Sequence, residues 1–351
     1  MKRHGGAFVA RSVQPVFPIR MLALDIDGTL VHETRVIPEH TRNTVRAALD
    51  AGVRVSVITG RMPTSGLRFA AQMRLVDPIV GYQGAVVREI RGAGEERPGR
   101  LLFHEPISSE GALAAVRWAH ANGLGAHVNH LERFIIQADD ARWAEYQAFL
   151  GALAYPVDDL FTVLRHPVSK VTAVGEPPIP ESLVGAARAA VGHIAQPTIS
   201  HPRFLEFVAP GVNKGRALRW LARRQGIPLE QVMAIGDQLN DLEMVAAAGH
   251  GVAMTNAPLE LKLQARYIAP SVFEQGAAEI IEALILAGPG DVRLNALRFA
   301  AERHLADLPG EGDAANRAEQ AMAEAVSAQH AGVAEPLSEP GALPEPLAES
   351  R

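Results

Sequence analysis

The sequence predicts an α/β protein in which a doubly wound parallel sheet is interrupted by an inserted α+β module. Apolar runs at residues 22–24 and 53–58 each stop abruptly at a polar turn, and a helical pattern lies between them. Strand, helix and strand in this order form a right-handed parallel unit, in which ligands gather at the carboxyl ends of the strands. The pattern is lost near residue 85 and returns after residue 209, which indicates the insertion.

Length and composition narrow the classes of protein that fit. A chain of 351 residues suits two domains. With 48% hydrophobic residues, 5% aromatic residues and no long apolar block, we expect it to be soluble and without a membrane partner. The formal charge of -5 offers no basic surface for nucleic acid. The absence of cysteine excludes thiolate chemistry, and the N-terminus shows no apolar stretch typical of a secretory signal, so a cytoplasmic location is predicted.

The first half of the predicted core domain covers residues 19–84, after an N-terminal extension at 1–18. Continuous apolar runs of strand length predict buried strands, and amphipathic stretches that end at glycine predict helices. The predicted elements are strands at 19–25, 53–58 and 79–80 and helices at 41–51 and 65–73.

The inserted module is predicted over residues 85–209. Short β-like segments mix with helical patterns there, which is typical of an antiparallel sheet with helices on it. The predicted strands lie at 85–90, 101–104, 133–138, 170–174 and 204–208, and the helices at 110–121, 141–150 and 181–191. Residues 91–100, rich in Gly, Pro and Arg, are interpreted as a hairpin loop.

The core pattern resumes at 210–288, so the predicted core domain is discontinuous. Its second half contains strands at 232–235, 251–254 and 266–269 and helices at 216–225, 241–248, 259–264 and 276–286. Residues 289–351 are rich in Ala, Glu and Pro, and their end has too few apolar side chains to offset the entropy of ordering. We expect this tail to be partly helical or disordered.

Clusters of polar residues lie directly after the apolar strands or at the start of a helix. They are Asp25 with Asp27, Thr59 with Arg61, Lys214, and Asp237 with Asn240 and Asp241. Like charges at a buried strand end need a compensating cation, because burying each one costs on the order of several kcal/mol. Mg²⁺ prefers oxygen ligands and binds through one or two carboxylates together with a substrate phosphate. The clusters therefore predict a phosphoryl-transfer site with Mg²⁺ on Asp25 and Asp237 and on a backbone carbonyl near Asp27.

Each of these residue types can perform one of the functions that phosphoryl transfer requires. A threonine hydroxyl, a lysine ammonium and backbone N–H groups can hold the phosphoryl oxygens, which suits Thr59 and Lys214. A carboxylate can attack phosphorus and form an aspartyl-phosphate, and Asp25 at the strand end is the predicted nucleophile. Asp27 is placed to protonate the leaving alcohol and then to deprotonate the water that hydrolyses the intermediate.

The motifs, in their order, resemble those of the haloacid dehalogenase (HAD) superfamily, in its Cof-like branch of type IIB sugar phosphatases. They are DIDGT at 25–29, ITGR at 58–61, the lysine of GVNKG at 211–215 and GDQLND at 236–241. The resemblance covers residues 19–286. It implies a HAD-like core with a Rossmann-like doubly wound parallel sheet and, between the second and third motifs, an α+β cap domain of the C2 type.

The same resemblance implies the roles of individual residues. Asp25 and Asp27 are catalytic and, with Asp237, belong to the Mg²⁺ site. Thr59, Gly60 and Lys214 bind the phosphate, Asn240 lies near it, and Asp241 supports the metal or Lys214. The chain departs from the branch where Gln83-Gly84-Ala85 stands in place of the usual Asn-Gly-Ala. Gln keeps the amide but adds a methylene at the hinge or substrate edge.

Ordinary structural roles compete with these assignments. Asp, Gly and Thr are common turn residues, and Thr59 and Asp237 also suit helix N-caps. Arg61 suits a surface or inter-domain residue. The module's histidines are not predicted as ligands, since i and i+3 of a strand face opposite sides; they are His104, His120, His127 and His130. Glu206 projects opposite to its aromatic neighbours, toward the cleft or toward solvent.

The sequence thus predicts a Mg²⁺-dependent phosphatase that hydrolyses a phosphomonoester of a small metabolite, a sugar phosphate or a related cofactor phosphate. Two alternatives stay open at this point. One is a phosphomutase or phosphotransferase that uses the same intermediate, and the other is a non-hydrolytic switch that binds a phosphometabolite. The leaving group, the oligomeric state and the purpose of the two chain ends are not encoded in recognisable motifs.

Overall fold

A computed structural model describes residues 18–32, 36–140 and 154–287. The predicted N-terminal extension, the helix at 141–150 and the C-terminal tail lie outside the described residues. All described residues fall within one compact unit. The division of this unit into a core at 19–84 and 210–288 and an inserted module at 85–209 stays a prediction. In the part of the chain that the structure describes, no helix is both long and apolar enough to cross a membrane.

Strands and helices follow the predicted order closely. The strands are β1 Met21–Leu24, β2 Arg54–Val57, β3 Ile79–Gly81, β4 Val86–Ile90, β5 Pro98–His104, β6 Gly125–His130, β7 Arg133–Gln137, β8 Ala154–Val157, β9 Lys170–Val174, β10 Gln196–His201, β11 Phe204–Val208, β12 Val232–Gly236, β13 His250–Met254 and β14 Tyr267–Ala269. The helices are α1 Glu39–Asp50, α2 Pro63–Met73, α3 Ser109–Ala121, α4 Leu160–Val163, α5 Glu181–Val191, α6 Lys214–Gln225, α7 Leu242–Ala247, α8 Leu259–Gln264 and α9 Gly276–Ile281. Short 3₁₀ turns lie at Tyr82–Gly84, Leu229–Gln231, Leu239–Asp241 and Val272–Glu274, and a π-helical turn at Glu282–Leu286.

A five-stranded parallel sheet positions the site. Its strand order is β14-β13-β12-β1-β2, so β1 is flanked on both sides. All four residues of β1 are fully buried, which explains why the strand reads as a continuous apolar run rather than an alternating one. Because β1, β2 and β12 are parallel and in register from Met21 onward, their carboxyl ends meet at one edge of the sheet. The predicted α/β class with a parallel sheet is confirmed.

The middle of the chain forms two further sheets rather than one. A six-stranded sheet has the order β10-β11-β9-β6-β7-β8, and a three-stranded sheet the order β3-β4-β5. The predicted strand at 79–80 pairs antiparallel with β4, and the isolated Ile58–Val80 bridge joins it to the segment that follows β2. The expectation of a purely antiparallel sheet is wrong at one edge, since β7 and β8 run parallel.

Three strand predictions need correction. The sequence did not indicate β8 and β10, which are the two edges of the six-stranded sheet and both contain a proline. Proline and polar residues are tolerated at sheet edges, so edge strands lack the apolar pattern that reveals buried ones. The hairpin loop predicted at 91–100 is shorter than expected, because β5 already begins at Pro98.

Candidate active site

The carboxyl ends of two neighbouring parallel strands bring the predicted acids together. Asp25 follows β1 and Asp237 follows β12, and both are almost fully buried. Gly28 has φ +80°, and a Cβ there would lie 1.9 Å from Oδ2 of Asp237. The turn after β1 therefore needs glycine to wrap closely around Asp237, and the Thr29 hydroxyl donates to Oδ1 of that residue at 3.3 Å.

Lys214 is the buried cation of the site. It is the first residue of α6, and the side chain of Asn213 caps this helix by accepting from the backbone N–H of Arg216 at 2.7 Å. Its Nζ donates to Oδ1 of Asp25 at 2.6 Å and to Oδ1 of Asp241 at 2.5 Å. Residues that are 189 positions apart in the sequence are thus joined in one ion pair.

Asp241 connects Lys214 to the loop after β12. While its Oδ1 accepts from Lys214, its Oδ2 accepts from the backbone N–H groups of Asp237 at 3.0 Å and Gln238 at 3.2 Å. Both oxygens of this fully buried carboxylate are therefore engaged, and the side chain holds the Asp237 backbone and the Lys214 ammonium in fixed positions.

The electrostatics of the cluster favour an added cation. Carboxylate oxygens of Asp25, Asp237 and Asp241 lie within 4.8 Å of one another. Burial raises the pKa of Asp25 to about 7, against the opposing effect of Lys214. Burial and the neighbouring Asp25 and Asp241 raise the pKa of Asp237 to about 8. Burial opposes the charge on Lys214, but Asp241 and Asp25 raise its pKa above the usual value. One ammonium faces three acids, and their all-oxygen donor set fits Mg²⁺.

Asp27 lies apart from this cluster. Its half-exposed carboxylate is paired with Arg61, whose Nε donates to Oδ2 at 2.6 Å and whose Nη2 donates to Oδ1. The Arg61 guanidinium also lies over the ring of Phe69, 5.1 Å from its centroid. Arg61 therefore orients Asp27 instead of being a plain surface residue. Asp27 is not one of the three acids whose oxygens lie within 4.8 Å of one another.

The predicted phosphate-binding residues lie around the same edge of the sheet. Thr59 is buried, and its Oγ1 accepts from the backbone N–H of Arg61 at 3.2 Å. A Cβ at Gly60 would come within 2.3 Å of Nε2 of Gln83, so a side chain there would displace the Gln83 amide. The Asn240 amide nitrogen donates to Oε1 of Gln83 at 3.0 Å. The structure thus places Thr59, Gly60 and Asn240 next to the acidic cluster.

A cavity of about 120 Å³ lies over Asp25. Since one water needs roughly 10–15 Å³ of such space, a small metabolite or part of one fits. Residues of the sheet edge line one side of the cavity and residues of the six-stranded sheet line the other. The side chains from the six-stranded sheet are His127, Asn129, Lys170, Thr172, Ser200, His201, Phe204 and Glu206.

Three functional candidates were missed or left undecided by the sequence. Glu206 lines the cavity and is buried, and Lys170 forms an ion pair with it. Gln83, noted only as a departure from a motif, donates to Glu206 through Nε2 at 2.7 Å. The alternation of Glu206 with aromatic neighbours hinted at its face, but no pattern marked Lys170. The module's histidines have structural contacts: His127 packs against Phe134, and Nε2 of His104 lies 2.9 Å from Oγ of Ser169.

A parallel sheet with acids and a buried lysine at its carboxyl edge is an arrangement suited to phosphoryl transfer in an α/β enzyme. The chain belongs to the haloacid dehalogenase-like hydrolases, whose family model matches residues 22–281. It is a phosphoric monoester hydrolase of this family. The predictions of family, fold class and enzyme class are confirmed.

Three comparisons illustrate the relationship. The chain is 28% identical over 280 residues to 5-amino-6-(5-phospho-D-ribitylamino)uracil phosphatase YitU of Bacillus subtilis, covering 75% of this chain and 96% of that protein. It is 30% identical over 264 residues to a phosphoglycolate phosphatase of Methanothermobacter thermautotrophicus, covering 75% and 97%. The solved structure of a HAD subclass IIB sugar phosphatase superposes with a TM-score of 0.65 at 24% identity, covering 75% and 98%, which shows the shared fold.

Proposed function

We propose that this phosphatase depends on Mg²⁺ and hydrolyses a phosphomonoester of a small metabolite through an aspartyl-phosphate on Asp25. The observation that carries the proposal is the contact of Asp25 with Lys214 at 2.6 Å, beside the Asp237 and Asp241 carboxylates and under the cavity. Relatives named for a ribityl phosphate and for phosphoglycolate support a sugar phosphate or a related cofactor phosphate as substrate. The lack of cysteine supports a cytoplasmic location.

The side chains divide the reaction between them. Oδ1 of Asp25 accepts from Lys214, which leaves Oδ2 to attack phosphorus and form the aspartyl-phosphate. Lys214, the Thr59 hydroxyl and the backbone N–H of Gly60 hold the phosphoryl oxygens. Asp25 and Asp237, with Asp241 beside them, would hold Mg²⁺, which when bound would supply positive charge against the phosphoryl oxygens.

Asp27 acts on the far side of the reacting phosphorus. It protonates the leaving alcohol and then takes a proton from the water that hydrolyses the phospho-Asp25. Arg61, which holds Asp27 in place, also lines the cavity, so the guanidinium faces an arriving substrate together with Asp27.

The test is a phosphate-release assay over a panel of metabolite monoesters, with and without Mg²⁺. We expect release that requires Mg²⁺ and differs in kcat/KM among substrates. In ¹⁸O-labelled water, hydrolysis places solvent oxygen in the released phosphate. Transfer to another hydroxyl gives phosphorylated product without that label, and a panel with no Mg²⁺-dependent turnover would contradict the proposal.

The stabilisation of the protein by Mg²⁺ is expected to depend on pH. The folded-state pKa values of Asp25 and Asp237, about 7 and about 8, lie above the ordinary value of 3.8. The folded state therefore binds protons more tightly than the unfolded state, and the metal-free protein loses stability as the pH rises from about 4 to about 8. Mg²⁺ needs the ionised acids, so its effect on Tm should be small at pH 5.5 and larger at pH 8.5.

Differential scanning calorimetry at constant ionic strength measures this, with NaCl replacing MgCl₂ as the control. A Tm increase by Mg²⁺ that is equal at both pH values would show that the buried acids do not bind the ion. Asp237→Asn should remove most of the increase at pH 8.5.

A further inference from the structure

We propose that Lys170, Glu206 and Gln83 form a positioning relay that orients the phosphate-binding turn at residues 59–61 and the amide of Asn240. The proposal rests on the proposed function, because the turn and Asn240 matter only where a phosphate is bound. None of the three relay residues needs to touch the reacting atoms. They act through the groups that do.

The relay is an unbroken series of contacts from the six-stranded sheet to two loops of the parallel sheet. Nζ of Lys170, at the start of β9, donates to the carbonyl of Gly60 at 3.0 Å and forms an ion pair with Oε1 of Glu206 on β11. Oε2 of Glu206 accepts from Nε2 of Gln83 at 2.7 Å. Oε1 of Gln83 then accepts from Nδ2 of Asn240 at 3.0 Å.

The chemistry of the donors and acceptors fixes the orientation of each amide. An ionised carboxylate only accepts hydrogen bonds, so Glu206 requires the NH₂ group of Gln83 to face it. Oε1 of Gln83 must then face Asn240, which in turn has to present its NH₂ group to Gln83. The one charged acceptor thus determines the orientation of Asn240, two residues away in the relay.

The other end of the relay determines the direction of the Thr59 hydroxyl. Lys170 has donors only, so its contact fixes the Gly60 carbonyl toward the six-stranded sheet. Because the peptide is planar and trans, the N–H of Arg61 points the opposite way, and it donates to Oγ1 of Thr59 at 3.2 Å. One acceptor position of the Thr59 oxygen is then used, and the hydrogen of the hydroxyl is directed away from Arg61 and can be donated to a phosphate oxygen.

Stability alone does not account for these residues. The Lys170 and Glu206 side chains are only 7% and 5% exposed. Replacing a buried ion pair by apolar residues of similar volume often leaves the stability of a protein unchanged or raises it. Gln83 has φ +61°, a conformation that is sparsely populated by residues other than glycine and is found where the surroundings impose it at functional sites. A buried pair and a strained residue in one relay point to a role in the site.

The test is the double variant Lys170→Met/Glu206→Leu of the full chain, which removes both charges while keeping the volume. We expect Tm to change little, and kcat/KM for p-nitrophenyl phosphate to fall about 10- to 100-fold, as is typical when groups that orient a site are lost. The affinity for inorganic phosphate in the presence of Mg²⁺ should fall as well. Hydrogen exchange should become faster in the peptide covering residues 58–62.

The matched control is the double variant Arg88→Met/Glu132→Leu. It removes an ion pair of 2.7 Å outside the cavity, so Tm, kcat/KM, phosphate affinity and hydrogen exchange should stay near the parent values.

Three further outcomes complete the test. If the double variant folds poorly, Gln83→Asn replaces it: an amide shorter by one methylene cannot reach both Glu206 and Asn240, so kcat/KM should again fall although Asn is the residue usual in the branch. If the parent binds phosphate but hydrolyses no monoester, the proposed function fails while phosphate affinity and hydrogen exchange still test the relay. Unchanged phosphate affinity and unchanged exchange at 58–62 in the stable variant would overturn the relay.

Discussion

Asp25→Asn is expected to lower the rate of phosphate release by about 10⁴-fold or more, the scale seen when a nucleophile is removed. Asn has nearly the shape of Asp but no anionic oxygen to attack phosphorus. The contact with Lys214 survives, because an amide oxygen can accept from Nζ. Steady-state assays at saturating Mg²⁺ and substrate measure the effect.

The same variant should be as stable as the parent or more stable at pH 8 without Mg²⁺. Burial raises the pKa of Asp25 to about 7, so the ionised form is disfavoured by the folded state at that pH. Removing this charge also relieves its repulsion with Asp237 and Asp241. Calorimetry of the metal-free protein measures the difference in Tm between variant and parent. Asp50→Asn, at the exposed end of α1, is the control. Residual activity near that of the parent would show that Asp25 is not the nucleophile.

Lys214→Met is expected to destabilise the metal-free protein by about 3–5 kcal/mol at pH 8, the scale for leaving a buried charge without its partner. Lys214 is fully buried between Asp25 and Asp241, and methionine fills a similar volume without a charge. Phosphate release should also fall by about 10²- to 10³-fold, because a group that stabilises the phosphoryl oxygens is lost.

Two conditions should reduce the loss of stability in this variant. Mg²⁺ supplies positive charge to the same carboxylates, so it should restore part of the loss. At pH 5.5 the loss should also be smaller, because the raised pKa values of Asp25 and Asp237 leave both acids largely protonated there. Denaturant titrations at the two pH values, with and without Mg²⁺, measure both effects. Lys262→Met on α8 is the control, and an equal loss at both pH values would show that Lys214 does not balance these acids.

The parallel sheet and its reactive edge could be predicted because their signals are local. Buried parallel strands need apolar residues on both faces, so each core strand is a continuous run that stops where the backbone turns. Asp25 and Asp237 lie directly after two of these apolar runs. Residues far apart in sequence could therefore be assigned to one site. Lys214 has no such marker, since a lysine at the start of a helix is ordinary and the helix dipole does not favour it. Only the order of the motifs indicated its role.

The sequence by itself determined the α/β class, strands of the parallel sheet and the acids at the sheet edge, because periodicity and motif spacing encode them. The tertiary structure alone decided which charges meet. Arg61 pairs with Asp27, and Glu206 is turned toward the cavity, where it pairs with Lys170 and Gln83. These contacts join segments separated by 34 to 123 residues, and their free energy depends on burial and on distance. Neither quantity can be read from the local pattern of residues.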